Sequence, residues 1–170
     1  MSILTIYQDK QGSKIRLKSH LPLETTELLQ DFAVVYREMP WRGETDELIS
    51  NPDLQHDLKR EIVPLDRQHQ FPFASLAVIE NEAYQNVSRL RMKYLSEHTI
   101  DKDEIFYIVE GDLLISFHHQ QQVFQLHAQA GSLIVIPANI ARWVDIGNGI
   151  QRLVLLRCTQ QEQEAVLHYT

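Results

Sequence analysis

From residue 76 onward the chain is a succession of short segments that alternate apolar with polar residues or are dense in β-branched ones. Side chains on a strand repeat every second residue, so such segments suit strands packed on at least one face. The segments are Leu76–Ile79, Ser88–Tyr94, Glu104–Val109, Leu113–His118, Val123–His127, Ser132–Ile136, Ala141–Val144 and Arg152–Arg157. Between them lie turn sequences: Glu110-Gly111-Asp112, His119 to Gln122, Ala130-Gly131 and Gly147-Asn148-Gly149. Many short strands at this spacing predict a mainly β fold, a closed antiparallel barrel or jelly roll.

The first part of the chain is mixed. Leu4–Tyr7 alternates and reads as a strand ended by the turn signal Asp9 to Gly12. Pro22 to Phe32 predicts a helix, Val34–Glu38 a strand, and Glu44 to Ile62 a helical stripe broken near Asn51-Pro52. One domain over 1–170 is expected: an N-terminal region 1–75 packed on the barrel, a barrel core 76–158 and a tail 159–170. A formal charge of −7 offers no basic stripe for nucleic acid, and no apolar run is long enough to cross a bilayer. The single cysteine, Cys158, has no internal disulfide partner and fits a reducing compartment. The N-terminus lacks the pattern of a signal peptide, so a cytoplasmic protein is expected, acting on a small molecule as a monomer or homodimer, with no nucleic-acid or membrane partner.

The chemistry concentrates at two places. His98, Glu104 and Gly111 are spaced as in G-x5-H-x-H-x3,4-E-x6-G, with Ile100 at the second histidine. Gly131, Pro137, Asn139 and Arg142 are spaced as in G-x5-P-x-G-x2-H, with arginine at the last position. These are the two metal-site motifs of the cupins, and the spacing resembles theirs. More closely, Arg91 to Ile100 followed by Asp103-Glu104-Ile105-Phe106-Tyr107-Ile108-Val109-Glu110-Gly111 is similar to the metal strand of acireductone dioxygenases, K-F-L-x-E-H-T-H-x-x-D-E-V-R-F-F-V-E-G. Ile136-Pro137-Ala138-Asn139-Ile140-Ala141-Arg142-Trp143-Val144-Asp145-Ile146-Gly147 is similar to that family's V-P-A-G-T-x-H-W-F-D-M-G. The opening Leu4–Tyr7 and the closing Leu167–Thr170 also fall where the family has a start strand and an aromatic tail. The resemblance implies a cupin-type double-stranded β-helix, and a family that cleaves an acireductone with dioxygen on iron(II) or nickel(II) in methionine salvage.

The resemblance also implies roles by position. His98 and Glu104 match two family ligands, while Ile100 and Arg142 replace the other two. Phe106 stands where the family carries a substrate-associated arginine, Arg157 resembles its later arginine, Tyr94 stands for a pocket phenylalanine and Trp143 is retained. Losing even outer-shell support costs about 10–100-fold in metal affinity, and Arg142 adds a fixed positive charge that repels a cation. A bidentate Arg142–Glu104 ion pair filling the space is expected, and no metal cofactor. The candidate catalytic residues are therefore His98, Glu104 and Arg142, and the candidate substrate-binding residues Tyr94, Phe106, Trp143 and Arg157. Any metal would rest on His98 and Glu104 alone.

Three functions follow from these residues. The first is a divergent, metal-poor enzyme acting on a small anionic oxygenated metabolite of enediol or keto-acid type. The second is a working acireductone dioxygenase with iron(II) or nickel(II). The third is a non-catalytic small-molecule-binding cupin. Lys93 is expected on an outward strand face, His118-His119 at a polar hairpin tip, and Cys158 inert.

Overall fold

The computed structural model describes residues 1–9, 11–80, 84–147 and 151–170, of which 84–88 by their backbone. Among the described residues, twelve strands and four α-helices follow in the order β1 (Ile3–Tyr7), β2 (Ile15–Ser19), α1 (Pro22–Gln30), β3 (Val35–Glu38), α2 (Thr45–Ser50), α3 (Pro52–Ile62), β4 (Phe73–Ile79), α4 (Tyr84–Leu95), β5 (His98–Thr99), β6 (Glu104–Glu110), β7 (Asp112–His119), β8 (Gln122–Gln129), β9 (Ser132–Ile136), β10 (Arg142–Asp145), β11 (Leu153–Thr159) and β12 (His168–Tyr169), with a 3-10 turn at Leu65–Gln70 before β4. They form two antiparallel sheets, β12-β5-β10-β7-β8-β1-β2 and β3-β9-β6-β11-β4.

Alternation decides which residues fill the space between the sheets. In the second sheet Phe106, Ile108, Ile134, Ile136, Leu153 and Leu155 point inward, meeting Leu4, Ile6, Ile115, Phe117 and Leu126 of the first. Their neighbours Ile105, Tyr107, Val109, Leu133, Val135, Val154 and Leu156 point outward and are covered by Leu48, Leu58, Ile62 and Phe71 of the helical region. β6, β9 and β11 are therefore buried on both faces, which is why they read as nearly continuous apolar runs. α2 and α3 cover that outer face, whereas Leu29 of α1 packs into the core between the sheets.

Turn chemistry sets the register. Gln120 and Gln121 both lie at positive φ (48° and 65°), as a two-residue hairpin of primed type requires between β7 and β8. Gly111 turns β6 into β7 at φ +84°, where an added Cβ would sit 2.4 Å from the Arg152 carbonyl oxygen. Asn51 caps α3 by accepting from the Asp53 and Leu54 backbone N–H groups, so the predicted break near Asn51-Pro52 separates two helices. The turn expected at 147–149 lies outside the described residues beyond Gly147.

The expected strand Ser88–Tyr94 is wrong: residues 84–95 form α4. Leu90, Met92 and Tyr94 alternate, but Leu90 and Tyr94 are also one helical turn apart. Those two pack against the core while Met92 is 74% exposed. The period that counts is therefore 3.6. Arg91 clamps α4 to β10 with two hydrogen bonds to Asp145, 2.7 and 2.9 Å. The outward strand position expected of Lys93 goes with this error, since Lys93 sits on the helix and pairs with Glu164 at 2.6 Å. β2 was not foreseen, because Ile15–Ser19 is a mostly exposed edge strand with little apolar signal.

Candidate active site

Three strands bring the charged residues together. Glu104 opens β6 and faces inward from the second sheet. Arg157 lies on the adjacent β11, two residues from Thr159, which pairs with Glu104. Arg142 opens β10 of the opposite sheet, directly across from His98 on β5. The outcome is one carboxylate held by two guanidinium groups: Arg142 Nη2 donates to Glu104 Oε2 at 2.8 Å and Arg157 Nη2 to Oε1 at 2.9 Å. The expected bidentate pair with Arg142 alone is thus corrected. The two arginines approach from different sheets, so each takes one oxygen.

Burial separates the two arginines. The Arg142 side chain is 1% exposed and that of Arg157 21%. Burial draws the Arg142 pKa down, against the pull of Glu104. Burial acts the same way on Arg157, but Glu104 and Tyr94 outweigh it and the value rises. Both remain cations. Arg142 also donates to the Ile140 carbonyl at 3.3 Å, whereas the Arg157 Nε–H is buried without an acceptor. Such an orphaned donor typically costs about 1–3 kcal/mol, more when charged.

His98 is buried and its Nδ1–H donates to the Ser96 carbonyl at 2.8 Å, leaving Nε2 as the basic nitrogen. The rings of Tyr94 and Tyr169 lie edge-on to it, with centroids 6.0 and 6.2 Å away. Burial lowers its pKa below the ordinary 6.5, with Arg142 adding to the effect and the Ser96 bond opposing it. The unfolded chain therefore takes up this proton near 6.5 as pH falls, and the folded chain only at lower pH. Stability should decline between those two values, with a slope of up to about 1.4 kcal/mol per pH unit from this group. In denaturation midpoints measured from about pH 5 to 8, His98→Gln should flatten that decline; an unchanged slope would assign it to other groups.

Arg157 and Glu164 stand where two cavities meet. One, about 140 Å³, is walled by Ala77, Leu90, Tyr94, Phe106, Val144 and Leu155. The other, about 360 Å³, is of mixed character, lined by Phe73, Ser75, Lys102, Glu104, Thr159 and the tail from Gln160 to Ala165. Of the expected substrate-binding residues, Tyr94, Phe106 and Arg157 are brought together. Trp143 is not: it lies on the other face of β10 from Arg142 and Val144 and lines neither cavity, and neither do Arg142 and His98. Glu164 was missed. It accepts from Lys93 and from the Tyr94 hydroxyl at 3.1 Å, and a polar tail gives no local sign of that. Cys158 is buried and its thiol is pushed up to about 12, which leaves it unreactive.

These residues do not suit a divalent cation. Ile100 is buried and offers no donor atom, and both oxygens of Glu104 already hold permanent cations. Among the described residues no three His, Cys, Asp or Glu side chains converge. No described helix is long and apolar enough to cross a membrane.

The family model for the ARD/ARD' family matches residues 3–165. The chain belongs to the ARD/ARD' family. An acireductone dioxygenase of Yersinia pestis (strain Pestoides F) is 32% identical over 157 residues, covering 87% of this chain and 82% of that protein. Another, of Saccharopolyspora erythraea, is 28% identical over 153 residues, covering 86% and 79%. Among solved structures, an acireductone dioxygenase from Bacillus anthracis with a cadmium ion in its active centre superposes with a TM-score of 0.78 at 18% identity, covering 99% of this chain and 98% of that one. The fold is therefore the mainly β, cupin-type one that the resemblance implied. Within the ARD/ARD' frame, Ile100 and Arg142 stand at two of the four positions that the motif assigns to metal ligands.

Proposed function

We propose that this ARD/ARD' member is a metal-poor enzyme acting on a small anionic oxygenated metabolite of enediol or keto-acid type. The observation that carries the reading is the Arg142–Glu104–Arg157 cluster, which puts fixed positive charge where an ion would otherwise neutralise Glu104. Arg157, at the cavity wall, anchors the substrate anion. His98, 1% exposed and kept neutral at physiological pH by its burial, supplies Nε2 as the base once the substrate displaces the groups that cover it. Arg142, sealed from solvent, holds Glu104 in place and adds positive potential rather than touching substrate. In an enolisation the proton on carbon moves to Nε2, the C–H electron pair becomes the C=C bond and the C=O π pair moves onto the oxygen. A positioned base contributes about 10²–10⁴-fold to such a step, and a donor aimed at the oxyanion about 10²–10³-fold.

The names of the relatives favour a second reading, a metal-dependent acireductone dioxygenase. Elemental analysis of the purified protein separates the two. We expect well under one iron or nickel per chain, and no change in thermal midpoint on chelation. Near-stoichiometric metal, with oxygen uptake on an acireductone that a chelator abolishes, would replace the first reading with the second.

A further inference from the structure

We propose that the chain forms a twofold homodimer in which β4 pairs antiparallel with β4 of a second copy, so that the β3-β9-β6-β11-β4 sheet continues across the axis. The two sheets have four outer strands, β2, β12, β3 and β4. An outer strand presents unpaired N–H and C=O groups that invite another strand, and proteins blunt it with charge, a bulge, brevity or a covering helix. Three of the four are blunted. β2 carries Arg16 and Lys18, and its ladder with β1 skips Arg16, since Leu17 pairs with Ile6 and Ile15 with Tyr7. β12 is two residues long. β3 carries Arg37 and Glu38 and is covered by α1, whose Thr26 hydroxyl donates to the Tyr36 carbonyl at 3.0 Å.

β4 has none of these devices. Its seven residues include no charge and no proline, and its ladder with β11 runs without a bulge. Every second residue turns its N–H and C=O away from β11, and among the described residues those groups bond to no other element. Phe73 and Val78 are 37% and 39% exposed, and Ala74 and Ser75 are exposed with them. The next charge, Glu80, is already paired with Arg152 at 3.6 Å.

A second β4 answers this edge. With Leu76 on the axis, Ala74 lies opposite Val78 of the second copy and Ser75 opposite Ala77. Residues matched this way lie an even number of positions apart, so the outward backbone groups of one copy meet those of the other and each side chain meets its own sheet face. Small residues face larger ones and no like charges meet. Twofold pairing uses up both edges, so assembly closes at two copies.

Sedimentation velocity on the whole chain at micromolar concentrations should show a reversible monomer–dimer equilibrium, and amide exchange in β4 should slow as the dimer fills. Ala74→Lys with Val78→Lys sets lysine opposite lysine twice and should weaken the dimer about tenfold or more. Ala74→Lys with Val78→Glu sets lysine opposite glutamate twice and should return the affinity to within about threefold of the native chain. Both variants alter exposed positions, and circular dichroism should show one fold throughout. A native chain that stays monomeric, assembly beyond two copies, or a dimer that tolerates the paired lysines overturns the proposal. So does equal loss of the dimer in both variants.

Discussion

Replacing Ile100 and Arg142 together by histidine is expected to turn a chain that retains little divalent metal into one that holds close to one ion. Two effects add. Each imidazole supplies a ligand, where even outer-shell partners change affinity about 10–100-fold. Removing the Arg142 guanidinium also removes repulsion, about 4 kcal/mol per unit of metal charge at 4 Å and an effective dielectric of 20. The second effect is the larger, so Arg142→His alone should gain more affinity than Ile100→His alone. Position favours the change: residue 142 already pairs with His98 across β5 and β10, and residue 100 is buried two positions after His98, just beyond β5. Nickel(II) titration should show a gain of about 100-fold or more for the double variant, with circular dichroism confirming an unchanged fold. Equal nickel affinity in the native chain and the double variant would mean that the guanidinium does not block the site.

Glu104→Gln is expected to be the most destabilising single conservative change at the site. The Glu104 side chain is 3% exposed, and it compensates two arginines that otherwise face each other across the barrel. Breaking a buried ion pair by removing one partner costs about 3–5 kcal/mol, because the remaining charge stays desolvated. Two charges remain here, so the upper part of that range is expected, read as a lowered urea midpoint at unchanged slope. A triple replacement, Glu104→Leu with Arg142→Met and Arg157→Met, should recover most of the loss, since apolar packing of similar volume substitutes well for a buried ionic triad. If the triple variant is no more stable than Glu104→Gln, the loss belongs to packing around residue 104 and not to unpaired charge.

Both predictions turn on a feature that was only half legible along the chain. The resemblance to the family's two motifs implied that His98, Glu104 and Arg142 are neighbours, and the fixed charge of a guanidinium there opposes a cation. That Arg157 would take the second oxygen of Glu104 was open, because strand register between β6 and β11 is set by long-range pairing. Trp143 shows the same gap in reverse. It lies within a family-like motif, yet a one-residue alternation turns it away from the cavities. Glu164 sits in a tail whose sequence has no periodic pattern to read, and its meeting with Lys93 and Tyr94 depends on α4 being a helix.

By itself, the sequence determined the strands from β6 to β11 and the turns at Gly111, Gln120-Gln121 and Gly131. Alternation and turn residues are local properties, and they report which backbone conformation each segment prefers. Tertiary structure decided that residues 84–95 coil into a helix, that one carboxylate serves two arginines, and that an apolar chamber opens beside Arg157. Those outcomes depend on which distant side chains share a buried volume, where the cost of an unpaired charge or an unfilled space is settled between elements and not within any one of them.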